Sequence, residues 1–127
     1  MTYIKINNEL YPTISIDGRM IDGEWDGRSS KAITLEMTGE QARELFVDDV
    51  EWSIVMETDK PITRYEQDEE GRPVPITQYE TVTEEYDNSN YSVAGDIVVH
   101  RNGTVTVKMG AVTRDDVLNL LLEGLDL

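Results

Sequence analysis

The chain has 127 residues, of which 26 are acidic and 11 basic, and its formal net charge at pH 7 is −15. This length suits one domain with its own hydrophobic core. The acidic excess excludes direct binding to nucleic acid or to an anionic membrane, because both require a cationic surface. No apolar run is long enough to span a membrane, and the N-terminus lacks the layout of a signal peptide.

The chain contains no cysteine and only one histidine. Disulfides, zinc–thiolate sites and cysteine nucleophiles are therefore excluded, as is a metal site built from several histidines of one chain. The absence of cysteine suits a cytoplasmic protein.

The N-terminal segment predicts two strands, at residues 3–6 and 10–17, joined by a turn at Asn7-Asn8. Apolar and polar residues alternate along the second segment with the period of a strand. Pro12 has no backbone N–H to donate, which predicts that this strand lies at a sheet edge or carries a bulge.

Residues 17–30 contain three Asp-Gly pairs, which are turn formers, and predict a loop with at most a short strand at 19–21. Trp25 is the one large side chain of this loop, and we expect it to dock on the body of the fold.

The same loop contains the pattern Asp22-x-Glu24-x-Asp26-Gly27, which matches the first half of a calcium-binding loop. The twelfth position of such a loop is a bidentate glutamate, and here it is Ile33. We interpret the pattern as an acidic turn and not as a calcium site.

A strand, a helix and a second strand are predicted next. Residues 31–37 alternate as a strand does, Thr38 and Gln41 have the spacing of a capping box, and a short helix is predicted over 39–47. Residues 50–58 predict the returning strand. The expected core residues of the helix and this strand are Ala42, Leu45, Phe46, Trp52, Ile54 and Met56.

Residues 59–86 predict a projecting acidic hairpin with its tip at 67–71. It has too few apolar residues for a core of its own, so we expect it to order against a neighbouring subunit. A disordered acidic loop is the alternative. Together with one residue of the earlier loop, the large side chains of this hairpin are the predicted subunit contacts: Tyr65, Val74, Ile76, Tyr79, Val82 and Trp25.

The clearest turn signal is Asn102-Gly103, which lies between two apolar runs in residues 95–109. A two-residue loop would mix apolar and polar side chains on both faces. A three-residue loop pairs His100 with Thr104 and makes one face apolar, so we favour that register.

Thr113 predicts the cap of a C-terminal helix over residues 114–124, with acidic residues in the first turn and leucines on more than one side. A helix of this composition either packs on the sheet or joins a neighbouring chain. We favour packing on the sheet.

No stretch carries a catalytic signature. The carboxylate runs at 66–70 and 84–87 predict solvated faces, whereas paired acid–base catalysis needs two carboxylates in one partly apolar cleft. His100 is predicted to lie off the apolar face, and no serine has a Gly-x-Ser-x-Gly context. We therefore expect no enzyme activity, no metal and no cofactor.

Three segments, YDNSNY (86–91), VAGDI (93–97) and HRNGTVTVKMG (100–110), resemble the C-terminal half of small phage and prophage proteins of Gram-positive bacteria. The segments YIKI (3–6) and ISIDG (14–18), with the strand–helix–strand at 33–56, are similar to small components of long-tailed phage tail modules. The resemblance implies a β-rich subunit, like tail-tube and tail-completion proteins, in which hairpin arms join neighbours in rings. The family carries no catalytic residues.

The sequence thus predicts one α+β domain over residues 1–127, mainly an antiparallel β barrel or sandwich with two helices. The expected function is a structural or assembly component of a phage or prophage tail. It would contact copies of itself or other tail proteins, in the host cytoplasm during assembly or in the virion. The alternative is an acidic DNA mimic or another protein-binding inhibitor.

Overall fold

The structure, a computed structural model, describes residues 1–124, so the last three residues of the predicted domain lie outside it. An antiparallel sheet of seven strands dominates, accompanied by two α-helices, which confirms the predicted α+β class. The strands are β1 (Thr2–Ile6), β2 (Glu9–Asp22), β3 (Arg28–Leu35), β4 (Ser53–Gln67), β5 (Pro73–Asp87), β6 (Val93–Val99) and β7 (Val105–Gly110). The helices are α1 (Gly39–Leu45) and α2 (Arg114–Gly124).

The sheet is open, with the strand order β5-β4-β1-β2-β3-β7-β6. Closure into a barrel is not found in residues 1–124: β5 and β6 are the two edges, and each pairs with one neighbour. The distal half of β5 pairs with β4 in a two-stranded ribbon that extends beyond the end of β1.

Strand β2 connects the two halves of the sheet. It pairs with β1 as far as Pro12 and with β3 from Thr13 onward, and the register shifts between Thr13 and Ser15. The predicted bulge is therefore confirmed, although β2 lies in the interior of the sheet. Its N-terminal turn is tight, because Asn7 and Asn8 both have positive φ, at 53° and 64°.

The prediction of a loop over residues 17–30 is wrong at both ends, because strands occupy both ends of this segment. Strand β2 continues to Asp22 and β3 begins at Arg28, so only a short 3₁₀ turn (Gly23–Trp25) and two further residues separate them. The Asp-Gly pair at Asp17 does not form a turn, because Asp17 and Gly18 pair with β3.

One face of the sheet carries the core, and α1 packs on it against β6 and β7. Thr38 and Gln41 form the predicted capping box, and the helix ends at Leu45, two residues before the predicted boundary. Phe46 meets Trp52 edge to face, with ring centroids 6.4 Å apart. The buried apolar side chains of the core are Ile4, Ile6, Ile33, Leu35, Ala42, Phe46, Trp52, Ile54, Val105, Val107 and Met109.

The β6–β7 hairpin has the predicted three-residue loop. The His100 N–H donates to the Thr104 carbonyl over 2.9 Å, and Gly103 has a φ of +84°. Ile97 pairs with Val107 as expected, and a bulge then shifts the register by one residue toward Ala94.

Helix α2 has the predicted bounds, but none of its residues is buried. The prediction that it packs on the sheet is therefore wrong for residues 114–124. A helix that covered the core face would bury its leucines, and the leucines of α2 are exposed.

Candidate functional site

The longest hairpin of the sheet is formed by β4 and β5, which stay in register from Ser53 opposite Asp87 to Gln67 opposite Pro73. On the other side of β4, β1 reaches only as far as Met56, and the Met1 carbonyl accepts a last hydrogen bond from the Glu57 N–H. Residues 58–82, called the arm below, are therefore a ribbon of two strands that projects from the sheet.

One face of the arm is formed by tyrosine, proline and threonine. Successive side chains of a strand point to opposite faces, so Tyr65 lies opposite Pro75 and Tyr79 opposite Pro61 on the same face. The two tyrosine residues are 70% and 72% exposed. This face therefore offers two aromatic side chains that no described residue covers.

The other face of the arm continues the core face of the sheet, because Ile54 pairs with the buried Ile4, and it carries both aliphatic and charged side chains. Its aliphatic residues are Ile62, Val74, Ile76 and Val82. The predicted contact residues of the hairpin thus divide between its two faces. A single flat partner surface meets only one of the two sets.

The tip of the arm is held by Asp68. Its carboxylate accepts hydrogen bonds from the backbone N–H groups of Glu70 and Arg72, at 2.9 and 2.8 Å. The backbone of Asp68 also bonds with Gly71 and Arg72, and Gly71 takes the left-handed conformation with a φ of +78°. These contacts close the loop at residues 68–72 and fix where the two strands begin to pair.

Several charged side chains on the arm and at its base form ion pairs of opposite sign. Arg64 contacts Glu66 at 2.7 Å and Lys60 contacts Glu84 at 3.5 Å. The hydrogen bond from the Tyr86 hydroxyl, and then the Lys60 ammonium, lower the pKa of Glu84, while the carboxylate of Glu84 raises the pKa of Tyr86. Mixed charge of this kind does not form an uninterrupted acidic surface.

Trp25, the remaining predicted contact, lies in the body of the sheet and not on the arm. A side chain at Gly95 or at Gly110 would come within 2.8 Å of its ring. The guanidinium of Arg28 and the ammonium of Lys108 lie 5.1 and 5.5 Å from the ring centroid. Trp25 is thus docked as its size predicts and is separate from the other five contact residues.

Asp22 is the first residue of the calcium-like pattern. It is buried, and other residues of the same chain bind its carboxylate. Its carboxylate forms an ion pair with Lys108 and accepts hydrogen bonds from the Ser30 hydroxyl at 2.9 Å and the Glu24 N–H at 3.1 Å. The pKa of Asp22 is lowered, and the hydrogen bond from Lys108 is the largest cause. The interpretation as a turn agrees with this geometry.

A second ion pair attaches α2 to the sheet. The guanidinium of Arg28 donates to both carboxylate oxygens of Asp116 and to the Ala111 carbonyl. The pKa of the Asp116 carboxyl is held well below its usual range, and the hydrogen bond from Arg28 is the largest cause. Sequence reasoning missed both this pair and the pair between Asp22 and Lys108, because their partners are more than 80 positions apart and no local pattern links them.

His100 lies exposed beside the β6–β7 turn, where its Nε2 is 2.8 Å from the Thr106 hydroxyl. Within residues 1–124, no three histidine, cysteine, aspartate or glutamate side chains are arranged to hold a metal ion. Over the same residues, neither helix has the length and apolar character needed to cross a membrane.

Comparisons of this chain with models of protein families, with curated proteins and with solved structures found no match.

Proposed function

We propose that this protein is a non-enzymatic structural or assembly component of a phage or prophage tail, and that the arm makes its principal contact with a neighbouring subunit or another tail protein. The observation that carries the proposal is the arm itself. Two paired strands have little stability alone, so a long ribbon with apolar side chains on both faces is best explained by a partner that covers it.

The composition of the tyrosine face supports a protein partner. Tyrosine is enriched at protein interfaces because its ring offers a large contact area and its hydroxyl remains able to bond to water or to a polar partner. Tyr65 and Tyr79 are held on a paired backbone, so less conformational freedom is lost when they bind than on a flexible loop.

The charge of the chain limits the kind of partner. With a net charge of −15, the protein repels nucleic acid and other acidic surfaces. In a tail, an acidic surface facing the channel would repel DNA and let it pass. The assignment to a tail rests on the sequence resemblance described above, and the arm supports the more general role in assembly.

The alternative role as a DNA mimic receives less support. A mimic needs carboxylates in rows that resemble phosphates, whereas three of the acidic groups on the arm and at its base, Glu66, Glu70 and Glu84, are each paired with an arginine or lysine. Local neutralisation of this kind weakens the resemblance to a uniformly charged duplex.

The proposal is tested with an arm-deleted variant in which residues 63–77 are replaced by Asn-Gly, next to the Ile62–Gln78 pair. A second variant carries Tyr65→Ser and Tyr79→Ser, and Met20→Ser serves as a control because Met20 is 88% exposed and far from the arm in the sheet order. Each is co-expressed with the tail proteins encoded by neighbouring genes, and incorporation is measured by sedimentation and negative-stain electron microscopy.

We expect the arm-deleted variant and the double tyrosine variant to lose incorporation, and the Met20→Ser control to keep it. Incorporation of all three variants at the wild-type level would overturn the role of the arm. Neighbouring genes that encode no tail protein would argue against the assignment to a tail.

A further inference from the structure

The two outermost strands, β5 and β6, differ in how they are protected against pairing with another chain. An exposed sheet edge presents a row of unpaired N–H and C=O groups, and proteins blunt such an edge by keeping the strand short or bulged. Strand β6 has both features, since it has seven residues and a register shift between Ala94 and Ile97. Strand β5 has fifteen residues that pair with β4 without any shift. The β5 edge is therefore long and regular.

Hydrogen bonds at the base of the arm determine which backbone groups of β5 face outward. Met1 and Glu57 exchange two bonds on the β1 side of β4, whereas the Trp52 carbonyl accepts from the Asn88 N–H on the β5 side. Successive residues of an antiparallel strand direct their backbone groups to opposite sides. Even-numbered residues of β4 therefore bond with β5, and in the observed register their partners are even-numbered too. The odd-numbered residues of β5 direct their N–H and C=O groups away from β4.

The prolines agree with this assignment and limit the open part of the edge. Pro73 and Pro75 occupy outward-facing positions, where the missing N–H removes no bond to β4. They leave no outward donor beside the tip, so the open run begins at Thr77. Pro61 removes a donor in the same way on the opposite edge of the arm. No strand of residues 1–124 pairs with the outward groups of five exposed residues: Thr77, Tyr79, Thr81, Thr83 and Glu85.

The charge beside this open run remains acidic after its own ion pairs are counted. Lys60 pairs with Glu84 at 3.5 Å and Lys5 with Glu85 at 3.1 Å, so these charges balance. On the stretch of β4 and β5 that borders the run, three further carboxylates have no cation within 4 Å among residues 1–124: Glu57, Asp59 and Glu80.

This charge disfavours a second β5 as the occupant of the edge. Residues 73–87 carry four carboxylates and no basic residue, so two copies side by side would bring four carboxylates from each into one ribbon. Like charges on neighbouring strands are destabilising. A segment that contains lysine or arginine brings the opposite charge to the unpaired carboxylates.

We propose that the open edge of β5 binds an extended, basic segment of another protein, which adds to the seven-stranded sheet as a further strand. Backbone donors and acceptors that recur every second residue, about 7 Å apart, match those of another extended chain. The run from residue 77 to residue 85 is about 27 Å long and accommodates about nine residues of a partner. The inference rests on the proposed function in its premise of a protein partner and adds the chemistry of that partner.

The first test is amide hydrogen exchange of the full chain, measured for each residue by nuclear magnetic resonance. The probe is a nine-residue synthetic peptide in which lysine alternates with valine. Without the peptide, we expect the amides of residues 77, 79, 81, 83 and 85 to exchange faster than those of the even-numbered residues between them. Excess peptide is expected to slow the exchange of these five amides at least about tenfold. A peptide that leaves their exchange unchanged overturns the inference.

Two matched peptides separate backbone pairing from charge. One has proline in place of each valine, which keeps the charge and disrupts strand pairing. The other has glutamate in place of each lysine. We expect neither to slow the exchange of the five amides. Equal protection by the proline peptide would show that charge alone attracts the probe, and equal protection by the glutamate peptide would show that charge does not select it. Either result overturns the inference.

Thr81→Pro removes one outward donor from the middle of the run, at a position equivalent to those of Pro73 and Pro75. Thr81→Val is the matched control, because it keeps the N–H and loses the same hydroxyl, which donates to Asp59 at 3.0 Å. Unchanged exchange of the even-numbered amides verifies that β4 and β5 remain paired in both variants. We expect Thr81→Pro to weaken peptide binding at least about tenfold and Thr81→Val to bind like the wild type. Equal binding by both variants overturns the inference.

The same measurement identifies a second copy as the occupant. If two β5 strands pair, the five amides become protected as the protein concentration rises without peptide, and analytical ultracentrifugation detects a dimer. We expect neither effect, and their appearance overturns the choice of a basic partner.

Thr81→Pro also separates this inference from the proposed function, because it retains Tyr65 and Tyr79. If the double tyrosine variant loses incorporation into the tail while Thr81→Pro keeps it and no peptide protects the edge, the proposed function stands and the inference is wrong. If the basic peptide protects the edge while every arm variant is incorporated like the wild type, the inference stands and the proposed role of the arm is wrong.

Discussion

Asp22 is a buried carboxylate that receives its charge partner from a distant strand. Lys108, the Ser30 hydroxyl and the Glu24 N–H all bind the ionised form, and they lower the pKa of Asp22 against the opposing effect of burial. A group whose pKa is lower in the folded state stabilises the protein above its unfolded pKa. This contribution is lost as the pH falls through the folded value.

Lys108→Met is therefore expected to lower the free energy of unfolding at pH 7, where it leaves an ionised carboxylate buried without its cation. The loss is expected to shrink toward pH 3, where protonation removes the charge. Urea unfolding at both pH values measures the difference. Lys60→Met is the matched control, because Lys60 pairs with an exposed partner and its loss should cost less than about 1 kcal/mol. Equal losses for Lys108→Met at pH 3 and pH 7 would contradict this account.

The β6–β7 hairpin depends on a backbone conformation that only its turn glycine adopts easily. Gly103 has a φ of +84° and closes the three-residue loop, which places Val105 and Val107 on the core face. The loop therefore determines the register of the hairpin as well as its turn.

Gly103→Ala is expected to lower the free energy of unfolding by about 1 kcal/mol, because a β-carbon disfavours the left-handed conformation. Gly18→Ala is the control: Gly18 lies in β2 without positive φ, and no atom lies within 4 Å of an added β-carbon. Thermal unfolding of both variants measures the difference. If the two substitutions lower the stability equally, the left-handed conformation of Gly103 does not contribute to the free energy of unfolding.

The arm is an element whose removal leaves the rest of the sheet intact, since β1 contacts β4 only as far as Met56. The arm-deleted variant is therefore expected to melt within a few degrees of the wild type and to keep the amide chemical shifts of residues 1–56 and 84–124. Calorimetry and nuclear magnetic resonance measure both. Loss of cooperative unfolding would mean that the arm is part of the folding unit.

The whole molecule carries a large charge of one sign, and its 11 basic residues cannot neutralise 26 acidic ones. Like charges in a folded protein repel one another, and salt screens them over about 10 Å at 0.1 M.

Raising the NaCl concentration from about 10 mM to about 200 mM is therefore expected to raise Tm, because screening the repulsion favours the folded state. Potassium chloride is the control for a specific effect of sodium, and both salts should act alike. A Tm that falls with either salt would mean that ion pairs such as Arg28–Asp116 outweigh the repulsion.

Local patterns in the sequence determined the elements. The alternation in β3, the capping box at Thr38 and the Asn102-Gly103 turn all act over a few residues, so the α+β class, both helices and the hairpin register follow from the chain. The loop at residues 17–30 is where local reasoning failed, because pairing with β3 overrides the turn preference of Asp17-Gly18.

Only the tertiary structure decided how these elements meet. It keeps the sheet open, holds Asp22 beside Lys108, divides the predicted contacts between the faces of the arm and turns the leucines of α2 away from the sheet. Each depends on groups far apart in sequence, whose meeting is set by strand order and by burial over the whole molecule. Local sequence patterns therefore do not predict such contacts.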